Sequence, residues 1–514
     1  MQLKTQIFSI LLFFSLGSCV DFADLSDAQV PDYEAEFAVP LINSRLTIKD
    51  MIDSNTPIDG LSIASDGTLR FQYFGTEVRR EGEAVFEDLT ANFPRIFTLP
   101  AREIRFPLSL VSNVELDRLD FKTGQFVYTL ENPNEESILV EFELSTLFND
   151  ETPFRFTVEV PAYSGSGPLP RVTNSGSPID LKDYQLIPND NRIELRYSAI
   201  NENGEQRPLE DFVVEIVDPV FSYAEGYLGQ FVIEGVEDSV VIDFVEEYSE
   251  GNIQFATPTA VLLVENSFGV AMEAEVNELI VLNTDNTEQE FRSSLLDEGL
   301  LFPYPEMDQV GTVLNGAFTF DKDNSNIVDL FSNNPLSTIY DIDALVNPEA
   351  DEDLLGFMTD SSYLSLQVRV DLPLFGTAND YFIRDTFDID LVDFDEIEQA
   401  TFKMITENEL GIDASVQAYF LDDQGAVLET LFTDQQLIAK GANVNEDGLS
   451  DAPAVTTTFV ETDAVRSQRI RQASQLALQV GFSTETNDPR PVRILEQQGI
   501  RLKMGAVVRV RSNQ

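Results

Sequence analysis

Four oxygen-bearing side chains in "DKDNSNIVD" carry the clearest spacing for chemistry in this chain. Asp321, Asp323, Ser325 and Asp329 fall at relative positions 1, 3, 5 and 9, the alternation with which a calcium loop presents its ligands. Such a loop turns on a glycine at position 6 and closes on a bidentate glutamate at position 12. Here those places hold Asn326 and Ser332. A second stretch, "NVNEDGLSD" (443–451), has the glycine, Gly448, but opens with the neutral Asn443 and Asn445 and lacks the closing glutamate. Each reads either as a structural calcium loop or, more simply, as a polar turn in which Asp and Asn side chains bond nearby amides.

Other chemistries are excluded by residue type. The chain has no His, which removes the Ser–His–Asp and Cys–His arrangements and the His-based zinc motifs. Its one thiol is Cys19, so no disulfide can form within the chain. With 90 acidic residues, two neighbouring carboxylates are inevitable and do not signal a glycosidase pair. No glycine-rich phosphate loop is present. The expectation is a protein without catalytic activity and without a cofactor, structural calcium aside.

Cys19 follows a leader built for export. Lys4 precedes an apolar run from Ile7 to Leu16, and small residues follow. That is the pattern of a secretion signal over residues 1–18, too short for a membrane span. Leu16-Gly17-Ser18-Cys19 resembles a bacterial lipobox, in which the cysteine thiol takes a diacylglyceryl group and the new N-terminus is acylated. Two or more acyl chains give durable attachment where one is marginal, so the resemblance implies a body anchored to a membrane by lipid at Cys19. Residues 19–36 then form an acidic tether with Asp21, Asp24 and Asp27. This is either a solvated linker or a loose form of the acidic cluster behind the lipidated cysteine of surface lipoproteins in Bacteroidetes.

Net charge is −58, which argues against a nucleic-acid partner. It is unevenly spread. Residues 464–514 hold nine basic and three acidic residues, a net of +6, so the remainder carries −64. The last strand pattern, "GIRLKMGAVVRVR", sets Ile500, Leu502, Met504, Ala506, Val508 and Val510 on one face. Arg501, Lys503, Arg509 and Arg511 fall on the other. That basic stripe either docks on a partner or on anionic head groups, or answers the chain's own acidic strands across the sheet.

The elements that would carry these groups repeat. A Glu-Asn pair ends an apolar run three times, in "YTLENPNEESILV", "LVENSFGV" and "MITENELGI", with Asn132, Asn266 and Asn408 spaced 134 and 142 residues apart. Strict alternation follows, as in Val270, Met272, Ala274 and Val276, or Ile412, Ala414, Val416 and Ala418. Period two means a half-buried strand. The unit is strand, Asn-centred corner, strand. Asn tolerates a left-handed backbone, and Gly269 and Gly411 add a permissive site. Glu131, Glu265 and Glu407 read as outward strand-end residues rather than as a carboxylate site.

This phrase resembles late-embryogenesis-abundant-like β-sandwich domains and a group of uncharacterised lipoproteins of Bacteroidetes-type outer membranes. The segments "EFAVPLINSRLTIKDMI" and "VQAYFLDDQGAVLETLF" favour the second. The resemblance implies a fold and a location, and no catalytic residues. Elsewhere "LSIASDGTLRFQYFG" reads as a hairpin turning at Asp66-Gly67, 161–178 as a loop, and 347–354 as an acidic break. One helix is expected, over 462–475, capped by Thr462 or Asp463.

The expected architecture is all-β: tandem β-sandwich domains with one short helix near the C-terminus. The divisions are 37–115, 116–235, 236–395 and 396–514, behind the leader and tether. The expected role is an accessory subunit or binding scaffold beside an outer-membrane β-barrel or other envelope protein. It would be lipid-anchored at the outer membrane, on the cell surface rather than the periplasmic face. Two alternatives stand beside it. A surface glycan binder would show clustered exposed aromatics, although Trp is absent. A lipid carrier would show a continuous apolar tunnel.

Overall fold

Alternating β-branched and aromatic residues over most of the sequence leave little that a helix could use. In the computed structural model strand makes up 57% of the chain and helix 6%, so the class is all-β. The structure describes residues 36–49, 60–108, 114–242, 252–332, 334–379, 381–389, 397–484 and 490–510. The leader, Cys19, the acidic tether and Arg511 lie outside the described residues.

Three sandwiches follow one another. In the first, long strands Glu115–Glu131 and Phe212–Tyr227 pair antiparallel, and Ile138–Asn149 pairs with Arg192–Ile200. Glu115–Glu131 and Ile138–Asn149 are joined only through the short strand Gln185–Leu186, which bonds to both. The sheet therefore folds over on itself, and Phe126 meets Phe142 and Phe154 at ring-centroid distances of 5.7 and 4.7 Å. The second sandwich sets strands Thr259–Asn266, Leu314–Phe320 and Tyr363–Pro373 against Phe231–Val241, Met272–Asn283 and Pro335–Val346. The third sets Glu36–Thr47, Gly499–Val510, Ile397–Asn408 and Ala454–Thr462 against Tyr381–Asp388, Gln475–Ser483 and Asp413–Leu421.

Pairing crosses long stretches of sequence. Glu36–Thr47 pairs with Gly499–Val510, and Leu69–Phe74 with Tyr363–Pro373. The segment 37–115 thus gives strands to all three sandwiches. Gly356–Thr359, inside the second unit's sequence, extends the first unit's sheet beside Tyr223–Gly226. Asn252–Phe255, Phe375–Asn379 and Val492–Arg493 form a small sheet between the second and third. An apolar cluster of Leu69, Val492 and Ile494, with Leu374, Leu410 and Ile412, fills that junction.

Asn266 and Asn408 sit where the chain changes sheet, and Asn132 where the first sheet folds over on itself. Thr259–Asn266 and Met272–Asn283 belong to opposite sheets of the second sandwich, and Ile397–Asn408 and Asp413–Leu421 to opposite sheets of the third. A crossing of this kind buries backbone that water cannot reach, so its polar groups need internal partners. Asn132, Asn266 and Asn408 are each fully buried and supply them. Each Oδ1 accepts the backbone N–H two residues on: from Asn134 at 2.8 Å, Phe268 at 2.9 Å and Leu410 at 2.9 Å. Each Nδ2 donates to a carbonyl: Pro161 at 2.9 Å, Pro303 at 3.1 Å and Lys440 at 3.0 Å.

One expectation about these corners is corrected. None of the three asparagines has a positive φ, nor does Gly269 or Gly411. The side chain closes the turn, so no left-handed residue is needed. The glycines serve close packing instead. A Cβ on Gly269 would overlap the Phe357 ring, and one on Gly411 would press on Val444 and Val492.

The Asp66-Gly67 hairpin forms as expected, with Gly67 at φ 83°. Helix Ala464–Arg471 forms too, and Asp463 accepts the Arg466 N–H at 2.8 Å. Three further helices, Gly82–Asn92, Ser294–Glu298 and Ile327–Leu330, were not signalled. Gly82–Asn92 starts on a glycine and has no side-chain cap. It is held instead by tertiary burial of Phe86 and Leu89.

Candidate functional site

Asp321, Asp323 and Ser325 lie together in a turn after strand Leu314–Phe320, and Asp329 sits on the short helix that follows. The side-chain oxygens of Asp321, Asp323 and Ser325 are used within the turn. Asp321 Oδ1 accepts the Asp323 N–H at 2.9 Å, and Ser325 Oγ donates to the Asp321 carbonyl at 2.6 Å. Asp323 Oδ1 holds Lys322 Nζ at 2.7 Å. In the 443–451 loop Asn445 Oδ1 accepts from Asp447 and Leu449, both at 3.0 Å. Among the described residues no group of three acidic, His or Cys side chains is arranged to hold a metal. Both stretches have the hydrogen bonding of polar turns.

The Glu of the repeated phrase does not assemble a site. Glu131, Glu265 and Glu407 end strands of three different sheets. Glu265 accepts the Tyr363 hydroxyl at 3.0 Å, while Glu407 belongs to the basic stripe.

That stripe is on the outward face of the four-stranded terminal sheet. Register places Glu407 opposite Arg501, two residue pairs from Lys503 and on the same face. Lys503 Nζ bonds its carboxylate at 2.6 Å, and Arg501 Nε lies 3.4 Å from it. The Lys503 ammonium, followed by Arg501, holds the Glu407 carboxyl below the usual carboxylate range. Arg45, opposite Arg501 on the first strand, turns to Glu409 at 2.7 Å. The cross-sheet answer to the basic stripe is thus realised for Arg501 and Lys503. Two cations share one carboxylate, and the face keeps positive character in a strongly acidic chain.

Two groups on this face were not singled out in the sequence. Lys403 lies between Phe459 and Gly505 in register, with its Nζ 5.9 Å from the Phe459 ring centroid. Val455 and Phe459 are 66% and 58% exposed, far beyond what a sheet face buried by its own chain would leave. Alternation in "AVTTTFVET" places both on one side, which is the signal that could have found them. With Val507, also exposed, they give the terminal sheet an apolar and cationic outer surface.

Cavities are modest. A gap of about 30 Å³ between the sheets of the second sandwich is lined by Leu262, Phe320, Ile342 and Val368, room for a water rather than an acyl chain. A cleft of about 300 Å³ opens at the edge of strand Met272–Asn283. Neither cavity is a continuous apolar tunnel. Among the described residues the exposed large aromatics are Phe74 and Phe459, in different sheets, so no aromatic platform is assembled. No helix among the described residues is long and apolar enough to cross a membrane.

Comparison with known proteins adds little. No family model matches the chain, and no curated protein does. Among solved structures, a candidate secreted protein from Parabacteroides distasonis is similar at 12% identity and a TM-score of 0.31, over 56% of this chain and 90% of its own. The VP2 subviral particle of infectious bursal disease virus is similar at 8% identity and a TM-score of 0.16, over 79% and 75%. An archaeal-virus protein with a triple jelly-roll fold reaches 8% and 0.11, over 84% and 95%. At these scores the likenesses assign neither family nor activity.

Proposed function

We propose that this chain is a non-catalytic lipoprotein of the outer-membrane surface that acts as an accessory subunit or binding scaffold, with the terminal sheet as its docking face. One observation carries the reading. The first described strand, Glu36–Thr47, and the last, Gly499–Val510, lie side by side in the sheet that exposes Val455, Phe459, Lys403, Arg501 and Lys503. A lipid on Cys19 would reach the folded body through residues 20–35, and so would tether it at that sheet. The mechanism is geometric. The anchor confines the sheet near the membrane, and stitched sandwiches keep it rigid. An outer-membrane β-barrel is the partner of this reading.

The modest cavities and the scattered aromatics give the lipid-carrier and glycan-binding alternatives no comparable support. The reading is tested by mild-detergent purification from the native membrane, beside a Cys19→Ser variant. The expected result is detergent-phase partition of the native chain with a β-barrel in stoichiometric amount, and release of the variant into the aqueous phase. A native chain that partitions into water, or emerges from detergent alone, would overturn it.

A further inference from the structure

The geometry points to a second, separate binding site: the open edge of strand Met272–Asn283 is a slot for a short extended peptide carrying a cationic side chain. It does not depend on the docking role of the terminal sheet. On one side this strand pairs along its length with Pro335–Val346. On the other it is paired only at its ends, Met272–Glu273 with Leu301–Phe302 and Ile280–Leu282 with Glu288–Glu290. Just inside those ends the Ala274 N–H donates to the Leu300 carbonyl and the Phe291 N–H to the Leu279 carbonyl, both at 3.0 Å. Between them, residues 275–278 make no backbone hydrogen bond on that side.

The cleft of about 300 Å³ lies against this gap. Val276, Asn277, Glu278 and Leu279 all line it. Consecutive strand residues point to opposite faces, so a cavity that touches all four looks onto the strand's edge. Its far wall is Phe291 and Leu296. The slot therefore offers unpaired N–H and C=O groups beside an apolar wall, the combination that strand addition uses. Four residues of strand span about 13 Å, which limits the occupant to a segment of two to four residues.

The gap is built in. Helix Ser294–Glu298 carries the chain away from the edge, with Ser293 Oγ accepting the Leu295 N–H at 3.2 Å and Leu295 and Leu296 packed on the core. Asn277 forms a bulge opposite Ile342 and Asp341, pinned by Nδ2 donation to Asp343 Oδ2 at 2.8 Å. The other Asp343 oxygen accepts the Gly235 N–H at 2.6 Å, where the flanking strand has its own bulge. The distortion is held from both sides, as bulges beside binding sites are.

Charge selects the occupant. Glu278 and Glu290 flank the cleft. Glu290 holds Arg292 at 2.8 Å with both side chains largely exposed, a pair weak enough to exchange for an incoming cation.

The test is hydrogen–deuterium exchange on the chain from Val20 to Gln514 with acetyl-Val-Lys-Val-Lys-amide. Its Glu-containing counterpart and a backbone N-methylated form serve as controls. The basic peptide is expected to slow exchange in 272–283 at least about threefold, and the two controls to leave it unchanged. Glu278→Lys is expected to weaken binding about tenfold. Arg292→Ala, which frees Glu290 and alters a largely exposed side chain, is expected to tighten it about twofold. Unchanged exchange in 272–283 at millimolar basic peptide would overturn the proposal, and so would equal slowing by the N-methylated form or by the acidic peptide. Loss of the β-barrel partner, with the slot result intact, would count only against the scaffold reading.

Discussion

The first and third sandwiches share a corner device but are built from different material. Inside the first, Phe97, Phe126, Phe142, Phe212 and Phe221 are almost wholly buried, and Phe126 touches Phe142, Phe154 and Phe156 at centroid distances from 4.7 to 5.9 Å. Among the described residues the third shows a small apolar cluster, Val416, Phe432 and Val480, among buried polar groups. Gln417 takes both backbone groups of Phe432, with Nε2 donating at 2.8 Å and Oε1 accepting at 3.1 Å. Thr406 Oγ1 donates to the Ile438 carbonyl at 2.6 Å. The first is held by area removed from water. Among the described residues the third relies on directional bonds and on the pairing of the chain's distant strands, and its outer face carries the exposed Val455, Phe459 and Val507.

If that contrast is right, truncation should cost most in the first sandwich. Phe126→Ala is expected to destabilise by about 3–5 kcal/mol, read as a lowered denaturation midpoint. Phe432→Ala, at the edge of a smaller cluster, is expected to cost less, about 3 kcal/mol at the low end of that range. Equal losses would remove the distinction. The corners should behave alike in every sandwich, because each Asn satisfies buried backbone. Asn132→Ala, Asn266→Ala and Asn408→Ala are each expected to cost about 2–3 kcal/mol. Asn266 should be the mildest, since its Nδ2 bonds one carbonyl where Asn132 and Asn408 bond at least two.

These corners mark the limit of what the sequence disclosed. The alternation after Asn266 and Asn408 made the strands legible, and the Asn side chain's bonding to nearby amides was legible too. That the corner crosses between sheets was not, because crossing is a long-range fact with no local period. Gly269 shows the same limit. A glycine beside Asn suggested a left-handed turn, and only the Phe357 ring, 88 residues downstream in sequence, explains it. Arg501 and Lys503 were legible as a stripe, but their partner Glu407 depended on strand order. The slot at residues 275–278 left no sequence signal, because an unpaired edge is defined by what fails to reach it.

Smaller effects sharpen the picture. Gly269→Ala is expected to cost about 1–3 kcal/mol by overpacking, and Phe357→Leu in the same chain should recover part of it. Glu407 gives the smallest effect and a defined sign. Its carboxyl pKa is depressed in the folded chain, so its contribution is full above the unfolded carboxylate range and is lost as pH falls through the folded value. Glu407→Gln should therefore flatten the fall in melting temperature between about pH 5 and pH 3, with less difference from the parent in high salt.

The docking face is the central claim, and one comparison tests it most directly. The native chain and a Lys403→Glu, Phe459→Glu double variant would be purified side by side from the native cell envelope in mild detergent. Both positions are exposed, so the melting temperature of the variant should match that of the parent. The account predicts a β-barrel in stoichiometric amount with the native chain and its loss from the variant. A partner retained at full stoichiometry by a folded variant would contradict it.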